Sequence, residues 1–173
     1  LGLSCVANAQ VARRLFIEEF TNASCPPCAA QNPAFNALLS ANYDKHVSLK
    51  YQTVWPGVDP MNAQNQSEVA NRVTYYGVTG VPNVEANGNV VLGGSFEGAP
   101  NGVTQDFIDE QAALLSPLEV KVTHNLAKTL DSVDIRVVVK NVTTSAFTAA
   151  KLLIHTALIE KTIAFPTAPG TNG

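Results

Sequence analysis

Leu15-Phe16-Ile17-Glu18-Glu19-Phe20-Thr21-Asn22-Ala23-Ser24-Cys25-Pro26-Pro27-Cys28-Ala29-Ala30 runs from an apolar, strand-like stretch through a turn into a cysteine pair at the start of a helix pattern. A Cys at a helix N-terminus meets unpaired backbone N–H groups and the positive end of the helix dipole, which favour thiolate over thiol. A second Cys at this spacing can resolve a mixed disulfide formed by the first. Cys25 is thus the candidate attacking sulfur, partly exposed, and Cys28 the more deeply buried resolving one. The same spacing also fits half of a zinc site or a structural disulfide staple. Zinc needs four ligands, and His46, His124 and His155 stand apart from one another in the sequence. The staple remains an open alternative.

Outward from this stretch, Arg13 to Phe20 reads as a buried strand and Pro26 to Asn42 as a helix, with proline tolerated in its first turn. Ala30, Ala34 and Leu38, with Phe35 and Leu39, form its expected apolar face, and Pro33 is expected to kink it. His46 to Val54 alternates as a second strand. A helix is expected from Pro60 to Tyr76, closed by Gly77, with Asp59-Pro60-Met61-Asn62 as its start signal. Val84–Ala86 and Asn89–Leu92 flank Asn87-Gly88, a strong hairpin signal. Val103 to Leu115 reads as a last helix. Past Ser116-Pro117 the texture changes to Val-rich runs at Leu118–Leu126, Val133–Val142 and Lys151–Glu160, expected as strands. The division is therefore a residual leader over 1–9, an α/β domain over 10–116 and an incomplete all-β module over 117–173. Three strands bury little core unaided, so further chain is expected to complete that module.

Composition narrows the function classes. Hydrophobic residues make up 46% and charged residues 14%, so the chain can bury a core. Net charge is −3 with a pI near 5.5, and basic residues are scattered, which argues against nucleic acid as a partner. No stretch supplies the roughly 18 consecutive apolar residues of a membrane helix. Ala7-Asn8-Ala9 has the small-x-small form cut by signal peptidase, so residues 1–9 are expected to be removed on export, Cys5 with them. A lipid-modified Cys5 is the competing reading, disfavoured by Gly2. The expected location is the periplasm, outer membrane or cell surface, with membrane association possible through regions outside this sequence.

The order strand, Cys-Pro-Pro-Cys, proline-containing helix, strand, helix, Val81-Pro82, hairpin, helix resembles the thioredoxin superfamily. Pro33, five residues past the second Cys, matches the family's helix-kinking proline. The resemblance implies a thioredoxin-like fold, a central mixed sheet flanked by helices, followed here by the beginning of a β-sandwich-like module. It further implies a cis bond at Val81-Pro82 that puts Pro82 beside the disulfide and leaves the preceding backbone, at Val81, free to pair with a bound polypeptide, so both are candidate substrate-binding residues. Glu19 falls where the family carries a buried carboxylate. There it would relay the proton that Cys28 must lose; the alternative is a strand residue reaching solvent, as Glu18 is expected to do. Joined to a Val-rich module, the whole is similar to the outer-membrane thioredoxin-like protein family of Gram-negative bacteria. Two departures stand out: Ser24 replaces the family's usual Trp, and extra length around Trp55 to Gln64 suggests a lid. Trp55 is carried as a candidate substrate contact, with a loop anchor as the favoured alternative.

The implied activity is that of a protein thiol-disulfide oxidoreductase with Cys25, Cys28 and Glu19 as catalytic residues. It needs no cofactor or metal, takes exported proteins with cysteines as substrates, and is recharged by a redox partner. Pro26 and Pro27 carry no N–H, leaving chiefly the Cys28 amide to stabilise the Cys25 sulfur, so a reductant or isomerase is expected rather than a strong oxidant. The rival is an outer-membrane binding module on a thioredoxin scaffold with a structural Cys25–Cys28 disulfide. A copper-handling relative is disfavoured because no His is placed by motif near the dithiol.

Overall fold

The computed structural model describes residues 10–146 and 152–171. The proposed leader, including Cys5, lies outside them. In chain order the elements are β1 (Val11–Ala12), β2 (Leu15–Thr21), α1 (Pro26–Ala41), β3 (His46–Gln52), α2 (Gln66–Tyr76), β4 (Asn83–Ala86), β5 (Phe96–Gly98), α3 (Gln105–Ala113), β6 (Leu115–Ser116), β7 (Leu118–Leu126) and β8 (Val133–Asn141). Two compact units result, one of residues 14–112 and 157–171, the other of residues 10–13, 113–146 and 152–156.

The first unit is mixed α/β. Its sheet has the order β3-β2-β4-β5, parallel between β2 and β3 and antiparallel elsewhere. Strand β2 is interior to the sheet and buried on both faces, its two adjacent glutamates included. Leu15 and Ile17 pack with Phe35 and Leu39 of α1, Val84 and Ala86 of β4, and Ile108 of α3. On the other face, Phe20 packs with Tyr76 and Val78, against which Val73 and Trp55 also lie. Helices therefore cover both faces of the mixed sheet.

Several elements differ from expectation. The buried face of α1 is Cys28, Phe35 and Leu39, while Ala30 and Ala34 point to solvent. Positions 28, 35 and 39 share one stripe at helical spacing, whereas 30 and 34 lie on another side of the cylinder. Helix α2 starts at Gln66. Asp59 Oδ1 accepts from the amides of Met61 and Asn62 at 2.9 and 3.2 Å, but the turn it opens is a short 3₁₀ turn, Asn62–Gln64. Gly77 ends α2 in the left-handed conformation, as expected, with φ 70°.

Asn87 and Gly88 have φ of 55° and 78°, the sign a tight hairpin requires, yet Asn89–Leu92 is not a strand. The Asn89 side chain caps a 3₁₀ turn there, and Phe96–Gly98 supplies the partner of β4. Asn87 turns back to β2 instead, its backbone N–H donating to the Phe16 carbonyl and its Oδ1 accepting from the Phe16 amide.

In the second unit β7 and β8 form an antiparallel hairpin in continuous register from Leu118↔Asn141 to Leu126↔Val133, and β1 pairs with β6. The strand expected over Lys151–Glu160 is not formed: residues 152–160 carry no regular secondary structure, and Lys151 lies outside the described residues. No helix among the described residues is long and apolar enough to cross a membrane.

Candidate functional site

The turn before the cysteines is built by Asn22. Its Oδ1 accepts from the Ser24 amide at 2.7 Å, its carbonyl from the Cys25 amide at 3.2 Å, and its Nδ2 donates to the Thr53 and Gly57 carbonyls. This sets Cys25 as the N-cap of α1, in extended conformation, with Pro26 and Pro27 in the first turn where their missing N–H groups cost no intrahelical bond. Cys25 and Cys28 form a disulfide with a Cα–Cα distance of 5.2 Å. The Cys28 amide donates to the Cys25 sulfur at 3.2 Å, the one N–H of the motif that the proline argument left for it.

The Val81–Pro82 peptide is cis, as is Trp55–Pro56. The Cys25 sulfur lies 3.6 Å from the Val81 carbonyl oxygen, a separation across which a reduced thiol can donate. One expectation is corrected: Cys25 is not partly exposed. It is 1% exposed and Cys28 2%, so both are equally enclosed.

Loop 55–61 is latched onto the turn. Asp59 Oδ2 accepts from the Ala23 amide at 2.9 Å, and the Ser24 hydroxyl donates to the Val58 carbonyl at 2.6 Å. A Cβ on Gly57 would lie 2.7 Å from that of Ser24, so the close approach requires glycine. Trp55 belongs to the other face of the sheet. It packs against the Phe20 cluster and lines a cavity of about 320 Å³ with Val69 and Val73, not the groove that Cys25 and Cys28 line.

That groove, about 580 Å³, is also lined by Asn32, Lys50 and Gln52. Glu19, on β2 and opposite the groove-lining Lys50, is 1% exposed, which excludes the alternative in which it reaches solvent. It stands opposite Lys50 in the parallel register, with Lys50 Nζ 2.5 Å from its Oε2. Apart from that ion pair, neither oxygen has a hydrogen-bond partner among the described residues. Burial pushes the Glu19 carboxyl up, opposed by the charge and hydrogen bond of Lys50. Lys50, half exposed in the groove, links the buried carboxyl to the space beside the cysteines.

Glu18 does not reach solvent at the sheet end; it is buried on the opposite face, where α2 packs. Arg72 grips it bidentately, Nε to Oε1 at 2.6 Å and Nη2 to Oε2 at 2.8 Å, and the Tyr51 and Tyr76 hydroxyls donate to it. Arg72 also lies 4.5 and 4.6 Å from the ring centres of Tyr75 and Tyr76. The hydrogen bonds to Glu18 push the Arg72 pKa up, and burial followed by the Glu18 charge and hydrogen bond raises both phenols.

Beside this knot, Glu85 is paired in register with Glu18 on one side and Glu97 on the other. It is 1% exposed, with no hydrogen-bond partner for either oxygen among the described residues. Burial, then the Glu97 and Glu18 charges, pushes its carboxyl up to about 7. Lys50, Arg72 and Glu85 were not singled out from the sequence, and Asp59 was read there only as part of a helix start, not as the latch on the Ala23 amide. The register of two strands would have found Lys50, since it faces Glu19. Comparison of the chain with protein-family models, with curated proteins and with solved structures finds no match in any of the three.

Proposed function

We propose that the chain is a thioredoxin-like thiol-disulfide oxidoreductase of the bacterial cell envelope, acting on cysteines of exported proteins. One observation carries the reading: Cys25 caps α1 with the Cys28 amide on its sulfur, 3.6 Å from the carbonyl that precedes a cis proline. In the reducing direction the Cys25 thiolate attacks one sulfur of a substrate disulfide and expels the other as a thiolate. Cys28, its proton passed to the Glu19–Lys50 pair, then attacks the Cys25 sulfur and expels the substrate's second thiolate. Two electrons have moved to the substrate, and the Cys25–Cys28 disulfide remains until a redox partner reduces it. With only the Cys28 amide on the Cys25 sulfur, Pro26 and Pro27 having no N–H to offer, the pair works as a reductant or isomerase rather than a strong oxidant.

A second reading, a scaffold module at the outer membrane with Cys25–Cys28 as a permanent staple, is favoured by the burial of both cysteines. Trapping separates the two. A Cys28→Ala chain mixed with a disulfide-bearing protein such as insulin accumulates mixed disulfides through Cys25 if the redox reading holds, and none if the staple reading holds. The reduction potential sets direction: about −270 mV marks a reductant, about −120 mV a strong oxidant, and a value below about −300 mV with slow exchange a staple.

A further inference from the structure

We infer that residues 163–171 form an intramolecular strap that walls one side of the groove beside Cys25 and Cys28 and shields their disulfide from reductants. The inference concerns access to the site proposed above and takes its biological meaning from that reading. Ile163, Phe165, Pro166 and Pro169 line the same groove as Cys25, Cys28 and Lys50. The segment is without helix or strand and bends at 166–167 and 169–171, where its two prolines hold φ fixed and offer no N–H.

Its far end is anchored on the turn that presents Cys25. The Thr171 amide donates to the Ser24 hydroxyl oxygen at 3.1 Å, across 147 residues of sequence. Gly170 is pressed so closely on the turn that a Cβ there would lie 2.5 Å from the Ala23 carbonyl carbon and 2.6 Å from the Ser24 oxygen. Backbone cannot yield at such a distance, so this contact admits glycine alone. The anchor is tight while the groove-lining part is loose: Phe165 remains 42% exposed. A strap built this way can be displaced from the groove by a competing extended segment with similar aromatic and proline character. It also accounts for cysteines that are closed off at the end of a helix where the sequence led us to expect an open one.

The test is the rate at which tris(2-carboxyethyl)phosphine, a reductant that needs no recognition, reduces the Cys25–Cys28 disulfide in the full chain and in Gly170→Val and Phe165→Ser variants. The rate is expected to rise at least about fivefold in one or both variants, with unchanged circular dichroism and thermal midpoint. Wild-type rates in both variants overturn the strap, and so does an acceleration that comes with loss of the folded signal. The Cys28→Ala trap on the Gly170→Val background keeps the two ideas apart. Faster phosphine reduction without mixed disulfides retains the strap and discards the oxidoreductase, and mixed disulfides without faster reduction do the reverse.

Discussion

Glu19 and Lys50 face each other across the parallel register of β2 and β3, with Lys50 Nζ 2.5 Å from a carboxylate that is otherwise without a hydrogen bond among the described residues. Burial raises the Glu19 pKa and Lys50 restrains the rise. If this pair takes the Cys28 proton, resolution of a Cys25 mixed disulfide speeds up as pH rises through the Glu19 ionisation. Lys50→Met removes the restraint and moves that midpoint to higher pH. Glu19→Gln abolishes the titration and slows resolution by about tenfold or more. Stopped-flow release of a thiol leaving group from the mixed disulfide, followed against pH, reads all three. Superimposable profiles would remove Glu19 from the mechanism.

Arg72 is tied to Glu18 by two hydrogen bonds and lies over two tyrosine rings, so it fastens α2 to the central strand. Arg72→Met leaves a buried carboxylate with only the Tyr51 and Tyr76 hydroxyls. A loss of about 3 kcal/mol in folding stability is expected, since removing one partner of a buried pair strands the other charge. Urea denaturation measures it. A change below about 1 kcal/mol would mean that water reaches Glu18 and replaces the guanidinium.

Glu85 makes the opposite contribution. Its carboxyl is pushed up to about 7 by burial and by the Glu97 and Glu18 charges. Below its ordinary pKa of 4.5 both folded and unfolded chains hold the proton. Between there and 7 the unfolded chain releases it while the folded chain keeps it, so the unfolded state binds fewer protons and stability falls as pH rises. The fall is about 1–2 kcal/mol once screening near the exposed Glu97 is allowed for. Glu85→Gln is therefore expected to match the wild type at pH 4 and exceed it at pH 8. Equal pH slopes in the two proteins would show that Glu85 ionises freely when folded.

What could be read in advance was whatever local chemistry carries. The helix start at Cys25, the left-handed Gly77 and the identity of β2 rest on residues close together in sequence. The cis Val81–Pro82 bond came through resemblance. Glu18 and Glu19 show the limit: in an adjacent pair on a strand buried on both faces, alternation puts one carboxylate under each layer of helices, and only the partners decide how each is satisfied. Those partners, Arg72 and Lys50, lie on other elements. At Asn89–Leu92 the β-branched residues after Asn-Gly suit a strand, but the Asn89 side chain accepts from the Leu92 amide and caps a 3₁₀ turn. The strap was invisible for the same reason as Arg72, since its anchor at Ser24 is remote in sequence.

Asp59 holds the two halves of the cysteine-bearing surface together. One oxygen accepts from the Ala23 amide at 2.9 Å, and the other from the amides of Met61 and Asn62. Asp59→Ala leaves three N–H groups without these acceptors and is expected to cost about 2–4 kcal/mol, because hydrogen bonds to a buried carboxylate are among the stronger ones. Asp59→Asn keeps one carbonyl acceptor and is expected to cost less. The effect has a local signature that general destabilisation lacks: the Ala23 amide should lose hydrogen-exchange protection while amides of β4, on the far side of β2, keep theirs. In the reduced protein, Cys25 should alkylate faster in Asp59→Ala than in Asp59→Asn, since the turn that presents it is held by this carboxylate. Equal protection of Ala23 in wild type and Asp59→Ala would show that the turn is fixed by Asn22 alone.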